Sequence, residues 1–137
     1  MAAVDRISLP EREGRQHTIL IVEDEVLIRM TISEYLQDCG FKVLEASSAL
    51  DAIAMIEASE FPIDVVFSDV RMPGMSGFEL AQWVHDRKPG LPILLASGDA
   101  GLARNAQSLC EKHQVLAKPY DFSMALARIR ALLDKQV

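Results

Sequence analysis

Apolar positions along this chain alternate between two periods. Ile19, Leu20, Ile21 and Val22 form a short, almost continuous apolar run, the pattern of a central parallel strand covered on both faces. The period then becomes helical, with Ile28, Ile32, Leu36 and Cys39 on one stripe until Gly40 stops the helix. A second strand is predicted over Lys42–Glu45, and a second helical stripe through Ala49, Ala52, Ile53 and Ile56, with Ser48 and Asp51 placed to cap its start. Pro62 breaks the chain before a third strand at Val65, Val66 and Phe67. Ser76 and Glu79 have the spacing of a capping box and open a helix carrying Leu80, Ala81 and Val84, which Pro89 and Gly90 end. Pro92–Ala96 reads as the fourth strand, Leu102, Ala106 and Leu109 as a fourth helix, and Val115–Ala117 as a short fifth strand. The last helix starts near Phe122, with Asp121 as its cap and Leu126, Ile129 and Leu133 facing inward.

Each gap between strands supplies a helix, and parallel strands need such long crossovers. The prediction is an α/β, flavodoxin-like five-stranded parallel sheet with helices on both faces and strand order 2-1-3-4-5. Residues 1–17 are polar, mixed in charge and interrupted by Pro10 and Gly14. They are expected to be a flexible N-terminal tail ahead of one domain over residues 18–137.

Composition narrows the class of function. With 137 residues the chain has room for one domain, and a net charge of −6 disfavours broad binding to nucleic acid or an anionic membrane. After the last helix only residues 134–137 remain, too few for a DNA-reading module. No apolar run approaches the ~20 residues of a membrane span, and charged residues occupy the N-terminus, so a cytoplasmic location is expected. Cys39 and Cys110 lack ligand spacing and are expected to be small buried hydrophobes. His17, His85 and His113 also lack metal spacing.

In open α/β sheets, ligands bind beyond the carboxyl ends of the strands. The first run ends in Glu23-Asp24-Glu25, the third in Ser68-Asp69, the fourth in Ala96-Ser97 and the fifth in Ala117-Lys118-Pro119. Four strands therefore deliver carboxylates, a hydroxyl and an ammonium to one rim. Glu23, Asp24 and Asp69 repel one another at short range, and a divalent cation resolves that repulsion. Carboxylate oxygens suit Mg²⁺. Lys118 adds a fixed positive charge, and Ser97 a hydrogen-bond donor for a phosphoryl oxygen. The set matches phosphoryl transfer, with Asp69 as the carboxylate nucleophile.

These residues carry a family signature. The stretches ILIVEDE (Ile19–Glu25), DVRMPGMSG (Asp69–Gly77), ASG (Ala96–Gly98) and KPY (Lys118–Tyr120) resemble the receiver domain of bacterial two-component response regulators, of the single-domain type. The resemblance covers about residues 18–135 and implies a set of roles. Glu23 and Asp24 are the acidic pair, with Asp69 and the backbone carbonyl of Arg71 completing the protein ligands of Mg²⁺. Asp69 is the phosphorylated residue, Ser97 the hydroxyl that responds to it and Lys118 the contact to the phosphoryl group. The bond before Pro119 is often cis in this family. The implied donor is a sensor histidine kinase or histidine phosphotransfer protein. The implied output is a downstream protein target on the face of helix 4, strand 5 and helix 5, with a homodimer possible.

Three positions modulate this scheme. Many receivers have Tyr or Phe three positions before the lysine, where this chain has Val115, so the ring-coupled output is not expected to operate in its usual form. Arg71 and Asp99 occupy positions two after Asp69 and two after Ser97, and a salt bridge between them is expected to restrict attacking water. Competing readings are a phosphate relay or sink without conformational output, an inactive protein-binding scaffold, and a hydrolase or dinucleotide enzyme. The last lacks both a G-x-G-x-x-G after the first strand and a Walker A sequence.

Overall fold

The apolar runs become strands because only a site covered on both sides can bury consecutive side chains. The computed structural model describes residues 16–58, 62–98 and 113–134. Along these run β1 (Thr18–Val22), α1 (Val26–Asp38), β2 (Lys42–Ala46), α2 (Ala49–Ala58), β3 (Val65–Asp69), α3 (Gly77–Arg87), β4 (Ile93–Ser97), β5 (His113–Ala117) and α4 (Phe122–Asp134). The strands are parallel and ordered β2-β1-β3-β4-β5. This is the flavodoxin-like order read from the element count. The expected helix through Leu102, Ala106 and Leu109, and the side chains of Cys110 and Asp99, lie outside the described residues.

Alternation along the strands feeds two cores. Leu20, Val22, Val66 and Leu95 enter one with Ala52, Ile56, Leu80 and Val84 of α2 and α3. Ile19, Ile21, Phe67 and Leu94 enter the other with Ile32 and Leu36 of α1 and Ile129 of α4. Each fully buried Leu or Ile contributes ~1.5–3 kcal/mol relative to exposure, so the central strands anchor both layers. Within α4 the buried stripe is Ala125, Ile129, Leu132 and Leu133, with Leu126 half-buried beside it. Ile28, on the apolar stripe of α1, is 42% exposed. Together with Ile32 it lines a cleft at the ends of the strands. Cys39, at the C-terminal cap of α1, is a half-buried free thiol.

Local chemistry ends the elements where the sequence indicates. Gly40 takes φ +101°, which glycine adopts without steric cost, and turns the chain from α1 into β2. The Ser48 hydroxyl accepts from the Asp51 N–H at 3.0 Å, while the Asp51 carboxylate accepts from the Ser47 N–H at 3.2 Å. Ser76 and Glu79 form the full capping box: the Glu79 N–H donates to Ser76 Oγ at 3.1 Å and the Ser76 N–H to Glu79 Oε1 at 2.8 Å.

The capping box holds α3 in a tight place. The Gly77 N–H donates to the Val70 carbonyl at 2.8 Å. A Cβ on Gly77 would overlap the Asp69 carbonyl oxygen and lie 2.9 Å from Val70 Cα. Glycine is required here because the helix start rests directly on the backbone leaving β3. Ser76→Ala is expected to lower unfolding free energy by about 1 kcal/mol through the lost cap. Gly77→Ala is expected to cost more, about 1–3 kcal/mol, because backbone must move. Urea midpoints of the two variants against wild type measure both.

Candidate functional site: an acidic rim with one ammonium

Parallel pairing brings the strand ends into line. Val22 pairs with Ser68, Asp69 with Ala96, and Ser97 with Ala117, so the residues that follow emerge along one edge. Glu23 and Asp24 leave β1, and Asp69 ends β3 beside them. One carboxylate oxygen from each of the three lies within 4.8 Å of the others. Lys118, just past β5, places Nζ 2.7 Å from Asp69 Oδ1. The Asp69 side chain is 11% exposed and that of Lys118 is 36% exposed. Burial of one partner makes this pair stronger than an ordinary surface salt bridge.

Backbone contacts fix these groups. The Lys118 N–H donates to the Ser97 carbonyl at 2.8 Å, and the Lys118–Pro119 peptide is cis. The Ser68 hydroxyl, itself buried, donates to the Asp69 carbonyl at 2.9 Å. Ser97 is buried at the end of β4, directly after the residue paired with Asp69. Glu23 is buried and its carboxylate accepts the Glu25 N–H at 3.0 Å.

Burial pushes the Glu23 carboxyl above its ordinary value of 4.5, and the nearby Asp69 and Asp24 push it further. The Glu25 N–H and Lys118 act in the opposite sense without cancelling the rise. This donor set fits a hard divalent cation: three carboxylates, one desolvated and short of positive charge. Glu23, Asp24 and Asp69 are the groups that would hold Mg²⁺.

A cleft of about 460 Å³ opens beside Asp69, between α1 and the Lys118–Tyr120 segment. Ile28, Ile32, Phe67 and Tyr120 give it apolar walls, with Glu23 and Asp69 at its floor. Tyr120 packs edge-on to Phe67, with centroids 5.9 Å apart. Its hydroxyl is pushed up to about 12, first by burial and then by Glu23 and Asp69. Tyr120 is therefore a neutral, apolar-faced wall of the site.

The remaining sequence-predicted positions lie further out. Arg71 is exposed on the loop after Asp69, where it lines a shallow depression with Met72, Pro73 and Phe78. Its expected partner Asp99 is outside the described residues. Val115 is buried in the core against α2 and α3, paired with Leu95 of β4. Sequence reasoning missed Arg29, whose guanidinium bonds the backbone of Glu23. It sits on a helix stripe with nothing local to mark it, because its second partner, Glu45, is on another strand.

An acidic rim around an ammonium-paired aspartate, on the central strand of such a sheet, is the build of a phosphoacceptor domain of two-component signalling. The response regulator receiver domain model matches residues 19–130, and the chain belongs to that family. It is 34% identical to the sensor kinase CckA of Brucella abortus over 121 residues, covering 87% of this chain and 13% of that protein. A response regulator receiver protein from Sinorhizobium medicae superposes with a TM-score of 0.79 at 29% identity, over 90% of this chain and 99% of that one. The response regulator TrrA of Thermotoga maritima, solved with Mg²⁺ and BeF, superposes with a TM-score of 0.76 at 26% identity, over 86% and 100%. The chain spans about half or less of the length of the curated relatives it matches. Among the described residues no helix is long and apolar enough to cross a membrane.

The raised Glu23 carboxyl has a definite sign. The folded state holds that proton more tightly than an unfolded glutamate does, so this group favours folding at low pH. The contribution is lost as pH rises from 4.5 through the raised value. Metal-free protein is therefore expected to lose melting temperature over that rise, and Glu23→Gln to flatten the loss. Mg²⁺ competes with the proton and is expected to bind more tightly over the same interval. Thermal melts with and without Mg²⁺ across a pH series check both.

Proposed function

We propose that this chain accepts a phosphoryl group on Asp69 from a phosphohistidine of a sensor histidine kinase or histidine phosphotransfer protein. The observation that carries this reading is the 2.7 Å contact between Lys118 Nζ and Asp69 Oδ1 within the carboxylate cluster. A carboxylate oxygen of Asp69 attacks phosphorus. The new O–P bond forms as the P–N bond breaks, and the imidazole nitrogen leaves with the electron pair. Lys118 offsets the charge on the phosphoryl oxygens, and the Ser97 hydroxyl donates to one of them. Mg²⁺, held by Glu23, Asp24, Asp69 and the Arg71 carbonyl, would supply positive charge that offsets the repulsion between Asp69 and an incoming anion. Water later attacks the acyl phosphate, giving back the carboxylate and releasing phosphate.

A protein donor is supported by the surface around the cleft. Val26, Leu27 and Met30 at the start of α1 are 55%, 77% and 54% exposed, an apolar margin suited to another protein's helix. Cytoplasmic action follows from such a donor. Output through the face of β5 and the last helix would accompany a shift of Ser97 toward the phosphoryl group.

A relay or sink role is the second reading, and Val115 favours it. Its side chain is buried and aliphatic, with no ring to swing between core and surface. A partner retained only by the phosphorylated protein identifies a switch. Onward transfer to a phosphotransfer histidine, with no such partner, identifies a relay.

Incubation with acetyl phosphate and Mg²⁺ is expected to add one phosphoryl mass to wild type and none at this site to Asp69→Asn. Lys118→Ala is expected to slow labelling on the order of a hundredfold, as for loss of one charge-stabilising donor. Intact-mass and peptide spectra follow both. A well-folded, Mg²⁺-loaded wild type that no phosphodonor labels at Asp69 would overturn the reading.

A further inference from the structure

We propose that Arg29 is a positioning residue that aims the metal-binding turn between β1 and α1. Its guanidinium spans two acceptors. Nη1 donates to the Glu23 carbonyl at 2.7 Å, and Nε donates to Glu45 Oε1 on β2 at 3.1 Å. The Arg29 side chain is 15% exposed and its bond to the Glu23 carbonyl is part-buried, while the bond to Glu45 lies at the surface. On the other side of the same residue, the Glu23 N–H donates to the Ala46 carbonyl at 3.1 Å. Both ends of Glu23's backbone are thus braced against the last residues of β2, one directly and one through Arg29. The Glu23 carbonyl belongs to the peptide that leads into Asp24. Its orientation decides where the Asp24 carboxylate points and how Glu23 reaches the Glu25 N–H.

Arg29 acts through the backbone while carrying a positive charge near an acidic cluster, so its two effects on a cation have opposite signs. By Coulomb's law alone, removing the guanidinium strengthens attraction for Mg²⁺. Removing a brace that orients ligands weakens it. The sign of the change in affinity separates the two.

The inference rests on the Mg²⁺ site proposed above, and calorimetric titration of the full chain with Mg²⁺ tests it. Arg29→Met keeps an unbranched apolar stem and removes every donor. It is expected to weaken Mg²⁺ binding about tenfold. In metal-free protein it is expected to speed hydrogen exchange of the Glu25 amide while core strand amides stay protected. Arg29→Lys keeps one cationic donor for the Glu23 carbonyl and is expected to stay within about threefold of wild type. Unchanged or tighter binding in Arg29→Met overturns the proposal. So does equal weakening in both variants, because the donor kept by Arg29→Lys would then make no difference. If Arg29→Met does not fold, Arg29→Lys decides alone, and a tenfold loss in it overturns the proposal. A wild type that binds no Mg²⁺ overturns this inference and the metal reading together. Binding by wild type with no loss in Arg29→Met overturns this inference only.

Discussion

Among the described residues, three carboxylates are held together at the end of a parallel sheet with one ammonium, that of Lys118, against Asp69, and the site's electrostatics follow from that imbalance. Asp69 is paired to Lys118 at 2.7 Å, but Glu23 and Asp24 are left within reach of it. Burial of Glu23 removes the water that would otherwise screen the repulsion, and its carboxyl responds by holding its proton more tightly. A fold optimised only for stability would avoid such a cluster. The cluster is the feature on which the proposed binding of Mg²⁺, and then of a phosphoryl group, rests.

The rest of the architecture keeps this unfavourable arrangement from relaxing. The Asp69 carbonyl is fixed by the Ser68 hydroxyl on one side and by the close approach of Gly77 on the other. The capping box of Ser76 and Glu79 starts α3 at that point of contact. Lys118 is tied to Ser97 through a backbone hydrogen bond, so the ammonium and the hydroxyl move with adjacent strands. Arg29 ties Glu23 to β2. Each device is a backbone constraint within one or two residues of a charged group, which holds a carboxylate in place without neutralising it.

The two cores meet the site differently. The core shared by α1 and α4 carries Phe67 and Tyr120 and closes the wall of the cleft beside Asp69. The core shared by α2 and α3 receives Val115 from β5. An aliphatic side chain buried there transmits small shifts of packing and has no aromatic ring to rotate.

The elements of the sheet and the rim residues were legible in the sequence, while the strand order followed only as the usual arrangement for that element count and was decided by the tertiary structure. Apolar runs and helical stripes are local, and Glu23, Asp24, Asp69, Ser97 and Lys118 each stand within two residues of the end of an apolar run. Caps were equally legible, because Ser76 and Glu79 interact across three residues. Ile28 shares the stripe of Ile32 and Leu36 yet is 42% exposed, since periodicity says which face a residue occupies and not how much covers it. The tight seat of Gly77 on Asp69, the wall formed by Tyr120 and the brace from Arg29 to Glu45 appeared only with the tertiary structure. Local pattern determines which elements form and what chemistry stands at their ends. Distances across strands, and the desolvation that changes what a carboxylate does, arise only when separate segments pack together.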